Sequence, residues 1–253
     1  MTILDLPFVL FIVTFLSLWL ADRTGALIGS RRRALPESAL SDYSVVTGAT
    51  LTLLGLLIGF TFSMATTRYD LRKNLEEEEA NAIGTEYIRL DFLPAESRAD
   101  LQSILRQYAD LRVRFYTSRD STDLRQINAE TANIQNHLWA SLAGAAKSEA
   151  SPLSALAASG MNDVLNSQGY TQAAWWNRIP IAAWGLMSLI AMLCNLLLGY
   201  GRKSSGILLS IVLPLAVSIS FFLIADIDSP RGGVIRIWPQ NLYALTGSLK
   251  AQS

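Results

Sequence analysis

Cysteine and histidine are almost missing from this chain. Its 253 residues hold one of each, Cys194 and His137. Neither a disulfide framework nor a Cys/His zinc site can therefore be built within one chain. Net charge is missing too: 21 basic and 21 acidic residues cancel, so no global basic field favours nucleic acid as a partner. Charged residues make up only 17% of the chain, against about 25% in an average soluble domain. No Ser/His/Asp or Cys/His set and no HExxH motif is present. The expectation is a protein that is not an enzyme, with no catalytic residues and no cofactor. Strand-like alternation and internal repeats are absent as well.

What the chain does have is long apolar runs. It is 51% hydrophobic, with a mean hydropathy of +0.29. Four stretches carry no Asp, Glu, Lys, Arg or His: Pro7–Ala21, Val45–Thr67, Ile179–Gly201 and Gly206–Ala225. A helix needs about 20 apolar residues to span a bilayer. The last three qualify, and the first can extend at either end. The first run also differs from a secretion signal: MTILDLP has no base and carries Asp5, and LADRTG offers no obvious cleavage site. It reads as a retained span.

Basic residues in short loops orient spans. Arg23, Arg31, Arg32 and Arg33 lie between the first two spans, and Arg202 and Lys203 between the last two. On that count both loops are cytoplasmic, and the N-terminus, the middle region and the C-terminus are outside. Trp175, Trp176 and Trp238 suit an aromatic belt. Pro214 can kink the fourth span, and Asn195 can bond between helices. GYGRKSSG (Gly199–Gly206) fails the order of a phosphate loop.

The polar stretch between the second and third spans has helical punctuation. Pro94 suits a helix start, followed by Leu101, Ile104, Leu105, Tyr108, Leu111 and Phe115 at helical spacing. SRDSTD (Ser118–Asp123) is a turn rich in capping residues. Ser151-Pro152 opens a further helix, whose end Gly169 fits. The expected fold is an all-α integral membrane protein: four transmembrane helices with an extramembrane helical bundle inserted between the second and third spans. In outline, residues 1–67 hold spans one and two, 68–178 the bundle, 179–227 spans three and four, and 228–253 a C-terminal tail.

Two patterns single out the second span. Gly48, Thr52, Gly55, Gly59, Ser63 and Thr66 recur at steps of three and four, drawing one stripe of small residues down a helix. Such a stripe suits close helix packing or a narrow path through an oligomer, with Leu54, Ile58 and Phe62 as apolar constrictions on another face. Four glutamates, Glu76 to Glu79, follow. At ~100° per residue they point around the whole helix. Glu77 and Glu78 fall on a solvated face, and Glu76 and Glu79 on a semi-apolar seam near Arg72. An Arg72–Glu76 bridge and a ring of carboxylates at a pore mouth are both open for that pair. Asp226 and Asp228, after the fourth span, are expected on the same side. Their oxygens suit a hard cation, but no loop of defined ligand spacing is present, so no metal is assigned.

GLLIGFTFSMATTRYDLRKNLEEEEANAIGTEYIRLDFLP (Gly55–Pro94) and FLIADIDSPRGGVIRI (Phe222–Ile237) resemble a widespread family of bacterial membrane proteins described as bestrophin-like. The resemblance covers nearly the whole chain. It implies a likeness to bestrophins: homopentameric anion channels with four spans per subunit, long helices entering a cytoplasmic domain, and a pore lined by the second span. The expectation is a multi-pass protein of a bacterial inner membrane, partnered by lipid, by copies of itself and by ions. Its function would be that of a channel or channel-like pore. The rival expectation is a non-conducting sensor or scaffold whose bundle binds a ligand or protein.

Overall fold

The computed structural model describes residues 3–31, 37–148, 150–202 and 207–251. Arg32, Arg33 and Lys203, which entered the orientation argument, lie outside them, as does part of GYGRKSSG. Eight α-helices are described: α1 (Pro7–Ser30), α2 (Glu37–Arg89), α3 (Ala95–Thr117), α4 (Ser121–Ser148), α5 (Pro152–Trp176), α6 (Ile181–Gly201), α7 (Ile207–Asp228) and α8 (Gln240–Ala251). No strand occurs among the described residues. Four helical segments are long and apolar enough to cross a membrane; they correspond to α1, α2, α6 and α7. At about 1.5 Å per residue, the 53 residues of α2 make a helix of roughly 80 Å.

The chain divides into two compact units. The first comprises Met1–Tyr69 and Arg178–Arg236. Here α1 packs on α6 and α7, and Leu18, Leu54, Ala191, Cys194, Phe221 and Ile224 lie in the core. The closest approach is between α1 and α6. A Cβ added at Gly25 would meet the Leu196 carbonyl, and one at Gly199 the Asp22 carbonyl. Beside that contact, buried Asp22 accepts from Arg202 at 2.5 Å. Asn195, expected to bond between helices, donates from Nδ2 to Ala191 O one turn back, at 2.8 Å. The unit's surface is apolar, with Phe8, Leu20, Phe60, Ile181 and Leu208 all more than half exposed. In water such a surface is an aggregation hazard; against lipid it is the required one.

The second unit comprises Asp70–Asn177 and Ile237–Ser253. It holds the polar end of α2 with α3, α4, α5 and α8. The expected apolar stripe is buried, with Leu101, Leu105, Tyr108 and Phe115 on α3, and Ile127, Leu138 and Leu142 of α4 are buried as well. The expected caps are formed as well. Asp120 Oδ1 accepts from the backbone N–H groups of Thr122 and Asp123, which holds its carboxyl below the usual carboxylate range. Ser151 and Ser154 cap α5 reciprocally.

Three expectations need correction. Gly169 does not end its helix, since α5 runs on to Trp176; a mid-helix glycine costs only about 1 kcal/mol, which packing on both sides offsets. Trp175 is not at a lipid interface: it is 5% exposed and packs on Phe115 and Tyr116. Trp176 and Trp238 are exposed. The residues after Asp228 are not only a tail, because they fold into α8.

Candidate functional site

Helix α2 carries the candidate site, and its upper face is built by subtraction. Gly48, Thr52, Gly55, Gly59 and Ser63 are exposed, and Thr66 is half-buried. A Cβ added at Gly48, Gly55 or Gly59 would meet nothing within 4 Å. Among the described residues these three glycines therefore pack against nothing, in contrast to Gly25 and Gly199. Thr52 and Thr66 donate their hydroxyl hydrogens to Gly48 O and Phe62 O, both at 3.0 Å. That satisfies the donors in an apolar setting and leaves oxygen lone pairs facing outward. Leu54 is buried in the first unit's core, Ile58 packs against that core, and Phe62 is 42% exposed.

The glutamate row divides as helical geometry requires: Glu77 and Glu78 are exposed, Glu76 and Glu79 buried. Each inner carboxylate has its own partners within the second unit. Glu79 accepts from Arg112 Nε and Nη2, from Tyr116 Oη at 3.1 Å and from Thr171 Oγ1 at 3.2 Å. Burial opposes the charge on Arg112, but Glu79 outweighs it, so the guanidinium is held more firmly protonated than usual. Burial first, with Glu79 adding to it, raises the Tyr116 hydroxyl well above its ordinary range, so it stays a donor. The Arg112 guanidinium also lies 4.4 Å from the Phe115 ring centre.

Glu76 does different work. Its Oε1 accepts from Leu242 N at 2.9 Å and its Oε2 from Asn241 Nδ2 at 2.7 Å. It caps the start of α8 with a carboxylate supplied from α2, where free N–H groups and the helix dipole favour a negative charge. Arg72 is its counterpart of opposite sign. The Nε and Nη2 of Arg72 donate to Ala174 O and Asn177 O, each at 3.0 Å, at the end of α5. The two side chains hold different helix ends. The sequence held a signal for α8 in Trp238-Pro239 followed by Leu242, Leu245 and Leu249, a helix-entry proline before an apolar stripe.

Asp226 and Asp228 are engaged inside the first unit. Asp226 accepts from Val234 N and Ile235 N at 2.8 and 2.7 Å. Asp228 accepts from Ile179 N at 3.3 Å and from Arg178 Nε at 3.2 Å, and Arg178 also pairs with Asp5. Ser229 Oγ accepts from Gly232 N. A Cβ at Gly232 would collide with the Asp5 carbonyl, and one at Gly233 with the Asp226 carboxylate. The DIDSPRGG run is thus a turn closed by its own acids and glycines.

Four membrane-crossing helices, one of them continuing far into a helical bundle, define an all-helical multi-pass membrane protein. A bestrophin-like domain model matches residues 8–242, and the chain belongs to the bestrophin-like family. Among solved structures it is similar to a bacterial bestrophin homologue from Klebsiella pneumoniae at 16% identity, with a TM-score of 0.62 over 94% of this chain and 97% of that one. A variant of that homologue gives 15% identity and a TM-score of 0.64, covering 95% of this chain and 94% of the other. A structure described only as a membrane protein gives 16% identity and 0.64, over 93% and 98%. No curated protein matches.

Proposed function

We propose that this chain is the subunit of a homo-oligomeric, channel-like pore in a bacterial inner membrane, pentameric by analogy with bestrophins, with the small-residue face of α2 along the ion path. The observation that carries this is the open space beside Gly48, Gly55 and Gly59: a glycine stripe with nothing against it among the described residues is available to an axis shared by several copies. Arg72, Glu76, Glu79, Asp226 and Asp228 hold helix ends, a buried ion pair and a turn. We assign them to keeping the subunit's shape, and leave the exposed Glu77 and Glu78 as the acidic groups free to meet ions. The likeness to bestrophins, which are anion channels, supports a non-enzymatic role. The continuity of α2 from span to bundle also favours the second reading, a non-conducting sensor.

Purified protein reconstituted in liposomes tests the proposal. Wild type should pass small ions, and Gly55→Leu with Gly59→Leu should reduce flux at least about tenfold by narrowing the path. An added Cβ at either position meets nothing within 4 Å among the described residues, so the subunit should fold as before. Flux that survives both substitutions would remove α2 from the path, and no flux from wild type over a range of salts would favour the sensor.

A further inference from the structure

Glu79 and Glu86 lie seven residues apart on one seam of α2, with Ile83 between them and Leu90 just past the helix end, and all four are wholly shielded from solvent. Glu79 is surrounded by donors. Glu86 is not: neither of its oxygens has a hydrogen-bond partner among the described residues. An ionised carboxylate in that position would give up its hydration without a hydrogen bond in return, whereas a protonated one suits a dry seam.

The surroundings are specific. Oε2 of Glu86 lies over Gly160 of α5, in a notch that an added Cβ would fill, and Nη1 of Arg89 reaches into the same notch. Glu86 and Arg89 thus converge on one point without a hydrogen bond between them. We propose that Glu86 is a proton-binding latch: protonated, it lets α2 and α5 close dry; on losing its proton to solvent, the carboxylate is drawn onto Arg89 across the Gly160 notch and the seam loosens. The latch operates inside the bundle and goes beyond the pore reading, on which it does not depend.

The charged groups acting on Glu86 are Arg89, from its own helix, which favours ionisation, and Asp163, from α5, which opposes it. No charged group of α3, α4 or α8 acts on it among the described residues. Burial is the largest influence and pushes the carboxyl from 4.5 up to about 8. The folded state therefore holds a proton that the unfolded chain has lost. The stability tied to this group is complete below 4.5 and is lost as the pH climbs through about 8.

Hydrogen exchange on the intact protein in detergent, corrected for intrinsic base catalysis, reads the latch directly. Peptides covering 83–90 and 157–164 should lose roughly tenfold in protection as the opening equilibrium shifts, with a midpoint near 8. Glu86→Gln, which stays neutral, should keep its protection across the range. Infrared difference spectra should show a protonated carboxyl disappearing with the same midpoint in wild type and missing from Glu86→Gln. The same loss of protection in Glu86→Gln, or no such carboxyl in wild type below neutral pH, overturns the proposal. If Glu86→Gln does not fold, Asp163→Asn serves instead. It should lower the midpoint, and an unchanged or raised midpoint overturns the proposal equally. None of these readouts needs conduction, so a chain that passes no ions would leave the latch standing.

Discussion

Replacing Arg112 with leucine should be among the most damaging single changes in the bundle. Arg112 and Glu79 are both 0% exposed, and Arg112 supplies two of the donors around the Glu79 carboxylate. The substitution leaves a buried negative charge with only Tyr116 and Thr171 to meet it. Removing one partner of a buried pair costs about 3–5 kcal/mol, and the lost contact with the Phe115 ring adds up to about 2 kcal/mol. For a chain of this size the melting temperature should fall on the order of 10 °C, measured by circular dichroism in detergent. The decisive comparison is the double variant Glu79→Leu with Arg112→Leu. It removes the stranded charge along with its partner and should recover about 1–3 kcal/mol relative to Arg112→Leu alone. If Arg112→Leu melts like wild type, or the double variant is the less stable of the two, the charge on Glu79 is not held as described.

Glu76→Ala removes the acceptor for Leu242 N and Asn241 Nδ2, a loss of about 0.5–2 kcal/mol by comparison with other helix caps. Limited proteolysis should then cut first within α8, and an unchanged cleavage pattern would show that α8 docks without its cap. Gly199→Ala drives a methyl group into the Asp22 carbonyl of α1 and should cost about 1–3 kcal/mol by overpacking. Gly48→Ala, which meets nothing, should leave the thermal stability of the subunit unchanged. Equal melting temperatures for the two alanine variants would contradict the close α1–α6 approach.

The spans and the extension of α2 were legible because hydropathy and helical period are local properties of the chain. The split of the glutamate row followed from the same geometry. The sequence did not reveal which surfaces meet. Gly55-xxx-Gly59 has the spacing of a packing motif, yet Gly25 approaches the Leu196 backbone and Gly199 the Asp22 backbone, 171 and 177 positions away by their numbers. Gly169 looked like a stop signal because a propensity of about 1 kcal/mol is visible in sequence, whereas the packing that overrides it is not. The partners of Glu76 were hidden for a related reason. They belong to a short helix behind a turn-rich stretch, where the punctuation of DIDSPRGG is stronger than the apolar stripe that follows it.

The cap on α8 also bears on how the chain is made. Glu76 and its donor Leu242 are 166 residues apart, and the donor belongs to α8. A ribosome delivers the acid early and its partner only after the four spans α1, α2, α6 and α7 have been synthesised. Closing a loop of that length adds little entropy cost, only about 0.6 kcal/mol for each doubling, so the delay is one of timing rather than affinity. During synthesis the carboxylate keeps its water, and the α2 surface around it stays open to chaperones. A nascent chain halted before Gln240 would carry all four spans and still leave this corner of the bundle unfinished.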